Sequence, residues 1–164
     1  MEKTDKFWLI QESIYENIKF ADTKAGSLVA LNLAIITAME VLTLFENDKN
    51  IILFIIACIS FMFLIVSILC SVKVLWPRGN KSAVSDEDSL CDVNKIAKLK
   101  SHEKYKKNVL KSDDKQLLKD IALFIYDRSL INKEKYKWFK IGIKFGIIGW
   151  IICFLSVSWK ILYY

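Results

Sequence analysis

Residues Ile51 to Val72 form an uninterrupted run of 22 uncharged residues. As a helix, this run is long enough to cross a hydrocarbon layer of ~30 Å, and helix is expected over residues 51–75. A second run, Phe145 to Trp159, is uncharged for only 15 residues, but Lys144 and Lys160 flank it. Lysine stems can lie along apolar surface while their heads reach the interface, so Ile141 to Leu162 can also span. A third segment, Ala25 to Phe45, is less apolar. With 54% hydrophobic and 26% charged residues, the 164-residue chain fits one domain, and the two classes are segregated along it as in membrane proteins. The expected fold class is an all-α membrane protein. Three transmembrane helices (25–45, 51–75 and 141–162) accompany an N-terminal amphipathic helix and a cytoplasmic helical hairpin or stalk.

The stretch from Ile18 to Ile36 passes from charged and amphipathic to apolar with no Pro and only Gly26, so one helix can run out of water into a bilayer. Asp22, Lys24 and Asn32 then belong to a membrane boundary. Positions two apart on a helix project about 200° apart, so Asp22 and Lys24 cannot pair with each other. Lys19 can serve Asp22 at i−3. Lys24 has no acid three or four residues away and must reach water, headgroups or another helix. The Asp22 face continues through Ala25, Val29, Asn32, Ile36, Glu40 and Thr43. A charge facing lipid at mid-membrane costs roughly 2.5–3.5 kcal/mol on insertion scales, so the polar members Asn32, Glu40 and Thr43 should point at protein or a wet cavity. A plainer reading puts Glu40 near the outer interface and lets Asn32 join two helices.

Charge sets the topology. Residues Lys73 to Lys140 hold 17 of the 24 Lys and Arg, whereas the loop Glu46 to Asn50 holds only Lys49. By the positive-inside rule the N-terminus and residues 73–140 are cytoplasmic, and the C-terminus ends outside. Trp76, Trp138, Trp159, Tyr163 and Tyr164 fall at the expected interfaces. Net charge +6 is accounted for by this bias, and no nucleic-acid partner is expected. Cys58, Cys70 and Cys153 lie in apolar runs and Cys91 outside them, so free thiols are expected rather than a disulfide framework. No cleavable signal peptide is expected, because some two dozen mixed-charge residues precede the first apolar run.

The cytoplasmic helices are expected over 5–24, 90–110 and 113–140. The first carries the apolar stripe Phe7, Ile10, Ile14, Ile18, Ala21 and Ala25, and its acids Glu12, Glu16 and Asp22 favour packing on protein over an anionic lipid surface. Trp76-Pro77-Arg78-Gly79 is expected to end the second span just inside the membrane. Ser89-x-x-Asp92 and Asp113-x-x-Gln116 are capping boxes. From the second of these to Leu162 there is no Pro, so a stalk of about 50 residues, ~75 Å long, is expected to continue into the membrane.

No catalytic residue or metal site is expected. His102 sits among charged neighbours, and no metal spacing, phosphate loop or nucleophile elbow is present. The protein is accordingly read as a non-enzyme without cofactor. Gly142, Gly146, Gly149, Cys153 and Ser156 align small residues along the last span, a face for helix contact within one chain or between subunits. The lysines Lys100, Lys104, Lys107 and Lys111 form a basic cluster that fits anionic lipid, a phosphate ligand or a solvated face equally well.

Ala21-Asp22-x-Lys24-Ala25 followed by Leu28, Leu31 and Asn32, Pro77-Arg78, the Asp113/Asp114 helix start with Leu118 and Ile121, and Lys135-Tyr136 ahead of the last span together resemble the Pycsar effector transmembrane family over roughly residues 10–150. The resemblance implies a bacterial antiphage effector of the inner membrane, coupled to a nucleotide cyclase or a related signal, whose activation disrupts or depolarises the membrane and causes abortive infection. Asp22, Lys24, Ala25, Lys135 and Tyr136 then form a coupling motif at the membrane junction. The chain lacks the length and β pattern for the cyclic nucleotide-binding domain that directly sensing members carry, so the trigger is expected from a partner sensor protein or a ligand at the cytoplasmic bundle, with a cyclic nucleotide as one candidate. Membrane lipid and further copies of the chain are the other expected partners. The alternative is a small membrane scaffold or immunity-type protein that binds a partner and opens nothing.

Overall fold

A computed structural model of the chain describes residues 3–44, 51–76, 96 and 101–163, and the side chains of residues 6–39, 51–76, 96 and 101–159. Four helices are described: α1 (Lys3–Leu44), α2 (Ile51–Leu75), α3 (His102–Lys111) and α4 (Asp114–Tyr163). No strand occurs among the described residues. α1 crosses the charged-to-apolar junction at Ile18–Ile36 without a break, and α4 is the expected uninterrupted helix, 50 residues long. The residues form two compact units, Met1–Ile18 with Pro77–Lys133, and Lys19–Trp76 with Glu134–Tyr164.

The second unit is built on one spacing repeated in three helices. α1 buries Ala21, Ala25, Leu28 and Asn32; α2 buries Ser60, Leu64, Ser67, Ser71 and Val74; α4 buries Gly142, Gly146, Gly149 and Cys153. Steps of four and three average 3.5 residues, which keeps a stripe facing its partners when helices wind about each other left-handedly. These stripes are made mostly of Gly, Ala and Ser. Small residues let backbones approach closely, which drives helix association where lipid removes the hydrophobic term. The outward faces are the reverse: Phe54, Ile55, Met62, Ile151, Phe154 and Leu155 are all exposed. Among the described residues two helices are long and apolar enough to cross a membrane, α2 with a mean hydropathy of 3.1 and α4 through its second half.

In the first unit, the segment expected as a helix over 90–110 is helical at residue 96 and again in α3 from His102, and residues 90–95 and 97–100 lie outside the described ones. Ser101 is extended, with φ −145° and ψ 128°, and its Oγ accepts the Glu103 N–H at 3.2 Å. A serine that bonds the backbone two residues on starts a helix rather than continuing one. The Ser89–Asp92 capping box lies outside the described residues. α3 closes at Ser112, whose N–H and Oγ–H both donate to the carbonyl of Val109. Asp113 stands just ahead of α4, its carbonyl accepting from the N–H groups of Gln116 and Leu117 at 2.9 and 3.1 Å.

Candidate functional site

Three helices of the second unit meet at Asn32, whose side chain is fully buried. Its Nδ2 donates to Ser67 Oγ on α2 at 2.8 Å, and its Oδ1 accepts the Trp150 Nε1–H of α4 at 2.9 Å. Ser67 Oγ passes the chain on, donating to the Gly142 carbonyl of α4 at 2.7 Å. One amide therefore joins α1 to both neighbours. Such interhelical bonds contribute roughly 0.6–2 kcal/mol each in lipid, but a buried donor or acceptor left unmatched there costs more, so the set is formed or broken together.

The glycines make this seam fit. A Cβ at Gly146 would stand 3.0 Å from Ser67 Oγ, and one at Gly142 would stand 3.3 Å from the Ser67 carbonyl, Cys70 Cβ and Ser71 Oγ. At Gly149 it would come within 2.8 Å of a Leu64 methyl. The gap at Gly146 thus holds the Ser67 hydroxyl, that at Gly142 the Ser67 carbonyl and the Ser71 hydroxyl, and Gly149 receives Leu64. Ser60 Oγ adds a bond to the Gly149 carbonyl at 2.8 Å, and Ser71 Oγ returns to its own helix at Ser67 O. Among the expected small-residue stripe, Cys153 is buried, while Ser156 is half-buried and bonds the Cys153 carbonyl at 2.7 Å.

Below the seam, Lys135 Nζ lies 2.5 Å from Asp22 Oδ1. Lys135 is one of the few buried charged groups, and Ala21 and Ala25 beside Asp22 are fully covered. Lys19, the partner expected for Asp22 from its i−3 position, is not the one bonded. The buried ammonium has no water to turn to, so the carboxylate serves it first. Lys24 is exposed, and its Nζ rests 4.0 Å from the centre of the Phe20 ring, so its charge is met by an aromatic face. Lys73, at the end of α2, stacks likewise on Trp138 at 3.6 Å. Tyr136 is half-buried.

The remaining expected residues are not drawn together. Lys104, Lys107 and Lys111 stand exposed on α3, as does His102, and Lys100 lies outside the described residues. The side chains of Glu40 and Thr43 also lie outside the described ones. No group of His, Cys, Asp or Glu suited to a metal occurs among the described residues. Ser60, Ser67 and Trp150 were not singled out from sequence. The two serines were legible as polar residues seven apart, one helical face, inside an uncharged run; Trp150 reads only as an interior aromatic until its partner is known.

Apolar helices with lipid-ready outer faces, joined inside by satisfied polar groups and close-packed glycines, define a helical membrane protein. The chain belongs to the Pycsar effector family: the model of the Pycsar effector protein domain matches residues 6–162, nearly its whole length. It is thereby a bacterial antiphage effector. No curated protein and no solved structure matches it.

Proposed function

We propose that this chain is a non-enzymatic effector that depolarises the bacterial inner membrane when a nucleotide second messenger or a partner protein shifts its helices, causing abortive infection. The observation that carries the reading is the Asn32 seam: polar groups deep among apolar helices, satisfied only by one another. In the resting bundle they are sealed. Once α1 moves against α2 and α4, both polar atoms of Asn32 and the Trp150 Nε1–H lose their partners and need water or polar groups from another copy. A path for ions follows from that need.

The magnitudes suit a switch. Moving a two-state equilibrium from 1:99 to 99:1 takes about 5.5 kcal/mol of differential binding. The two interhelical hydrogen bonds of Asn32 at ~1 kcal/mol each, with the Asp22–Lys135 pair, come to the same order, so a ligand or partner can open the bundle. In this reading α1 crosses the membrane through Ala25–Leu44 as a third span, the N-terminus is cytoplasmic, and the C-terminus lies outside.

Assembly into an oligomer is supported by the other side of α1. Ala30, Ala34 and Ala38 are exposed there in line with Gly26, where a Cβ would meet nothing within 4 Å. This face lies away from the seam and is open to another copy. The test expresses the chain in bacterial cells with and without its genomic neighbours while a potential-sensitive dye reports the membrane. Depolarisation and growth arrest are expected, and Asn32→Leu should remove both while the protein remains inserted. A membrane that stays polarised under every condition sinks the proposal. Loss of abundance in Asp22→Ala, with no toxicity in the parent, would instead mark a scaffold.

A further inference from the structure

The first unit contains a cavity of about 530 Å³ that the membrane reading does not use. Small-molecule sites commonly occupy ~300–1,000 Å³. One wall is a single face of α1, with Trp8, Gln11, Glu12 and Tyr15 spaced i, i+3, i+4 and i+7; the other comes from α4, including Phe124 and Arg128 one turn apart. Trp8 and Tyr15 are 65% and 69% exposed, an uncommon state for two large aromatic side chains sharing one cavity. The Arg128 guanidinium lies 5.0 Å from the centre of the Phe124 ring.

The charges decide the ligand class. Arg128 and Glu12 line the same space, yet among the described residues neither forms an ion pair, with the other or with a third group. Glu12 is exposed and meets solvent, whereas Arg128 is half-buried beside Phe124, so a neutral apolar guest would cover the guanidinium without answering its charge. A guanidinium fork matches a phosphate or carboxylate through two parallel hydrogen bonds, and a carboxylate on the facing wall accepts from N–H groups. Three aromatic rings, Trp8, Tyr15 and Phe124, line the same cavity, and such rings stack on any flat π system.

We infer that this cavity binds a planar aromatic anion, its ring against Trp8, Tyr15 and Phe124, its anionic group at Arg128, and hydrogen-bond donors on its ring edge at Glu12. Nucleoside monophosphates and aromatic carboxylates share this chemistry. The site deepens the effector reading, on which it rests for its purpose, by naming the class of trigger. Its test uses the purified chain and no membrane leak, so either reading can fail alone.

The full chain in detergent micelles is dialysed to equilibrium against labelled linear and cyclic nucleoside monophosphates, the parent nucleosides, ribose phosphate, and hydroxybenzoate. At least one ring-bearing anion should bind, with the matching neutral nucleoside and the ring-free ribose phosphate at least tenfold weaker. Arg128→Gln and Trp8→Leu should each weaken binding about tenfold or more, with helix content by circular dichroism unchanged. Glu12→Gln should act only on ligands with ring-edge donors. A nucleotide or hydroxybenzoate as the tighter ligand supports the site and identifies its source. Binding of none of these probes, equal binding of ribose phosphate, or affinity unaltered in both Arg128→Gln and Trp8→Leu would overturn the inference.

Discussion

The Lys135 ammonium sits 2.5 Å from the Asp22 carboxylate, but the two are unequally covered: 10% of the Lys135 side chain is exposed and 36% of Asp22. Removing either partner therefore has a different consequence. Asp22→Ala leaves a buried ammonium alone, a change that costs about 3–5 kcal/mol for fully buried pairs and less when one partner meets solvent. Lys135→Met keeps the packed stem and leaves Asp22 free to turn to water. We expect Asp22→Ala to lower the melting temperature in detergent micelles distinctly more than Lys135→Met, and the double variant to recover most of the difference. Equal losses from the two single changes would show that the pair is not what holds this position.

Asn32 and Trp150 should be energetically coupled. Trp150 Nε1–H donates to the Asn32 Oδ1 at 2.9 Å, so either truncation leaves the other group unmatched in a dry interior. A double-mutant cycle with Asn32→Ala and Trp150→Phe should return a coupling of ~0.6–1.7 kcal/mol, the range for interhelical hydrogen bonds in membrane bundles. Simple additivity of the two changes in reversible unfolding would mean that the bond carries no weight.

Two glycines should respond to alanine with opposite signs. At Gly149 the new Cβ would stand 2.8 Å from Leu64 Cδ2, and overpacking of this kind typically costs about 1–3 kcal/mol. At Gly26 it would meet nothing, and replacing a mid-helix glycine by alanine gains about 0.5–1 kcal/mol. Melting curves should therefore shift down for Gly149→Ala and up for Gly26→Ala, and Leu64→Ala should relieve the former. Parallel shifts would contradict the packing described.

What the sequence made legible was whatever one helix can state about itself. The 22-residue apolar run, the unbroken junction at Ile18–Ile36 and the glycine spacing of α4 all follow from local period and composition. Asn32 could be marked as a residue needing shelter. Its partners could not be named, because Ser67 is 35 positions away and Trp150 is 118, and nothing local distinguishes them. The same limit misdirected Asp22. Lys19 lies within reach on its own helix, whereas the bonded Lys135 is 113 residues on and is fixed by packing. Ser101 is the opposite case: its hydroxyl caps α3 through a partner only two residues on, yet a lone serine in a charged segment does not announce a helix start.

The outer and inner faces of α1 should separate assembly from folding. Ala25 is fully buried in the bundle, while Ala30 and Ala34 are exposed on the face that the effector reading gives to a second copy. Leucine at position 25 must displace neighbouring helices, since a close-packed interior has no room for three extra carbons. At 30 or 34 the same side chain is accommodated by lipid in a lone bundle, but it holds two copies of α1 apart. Ala25→Leu should therefore reduce abundance and melting temperature. Ala30→Leu and Ala34→Leu should leave both unchanged, yet abolish cross-linking into oligomers and the depolarisation that dye measurements record. If the two outer variants depolarise cells as well as the parent does, this face of α1 takes no part in forming the leak.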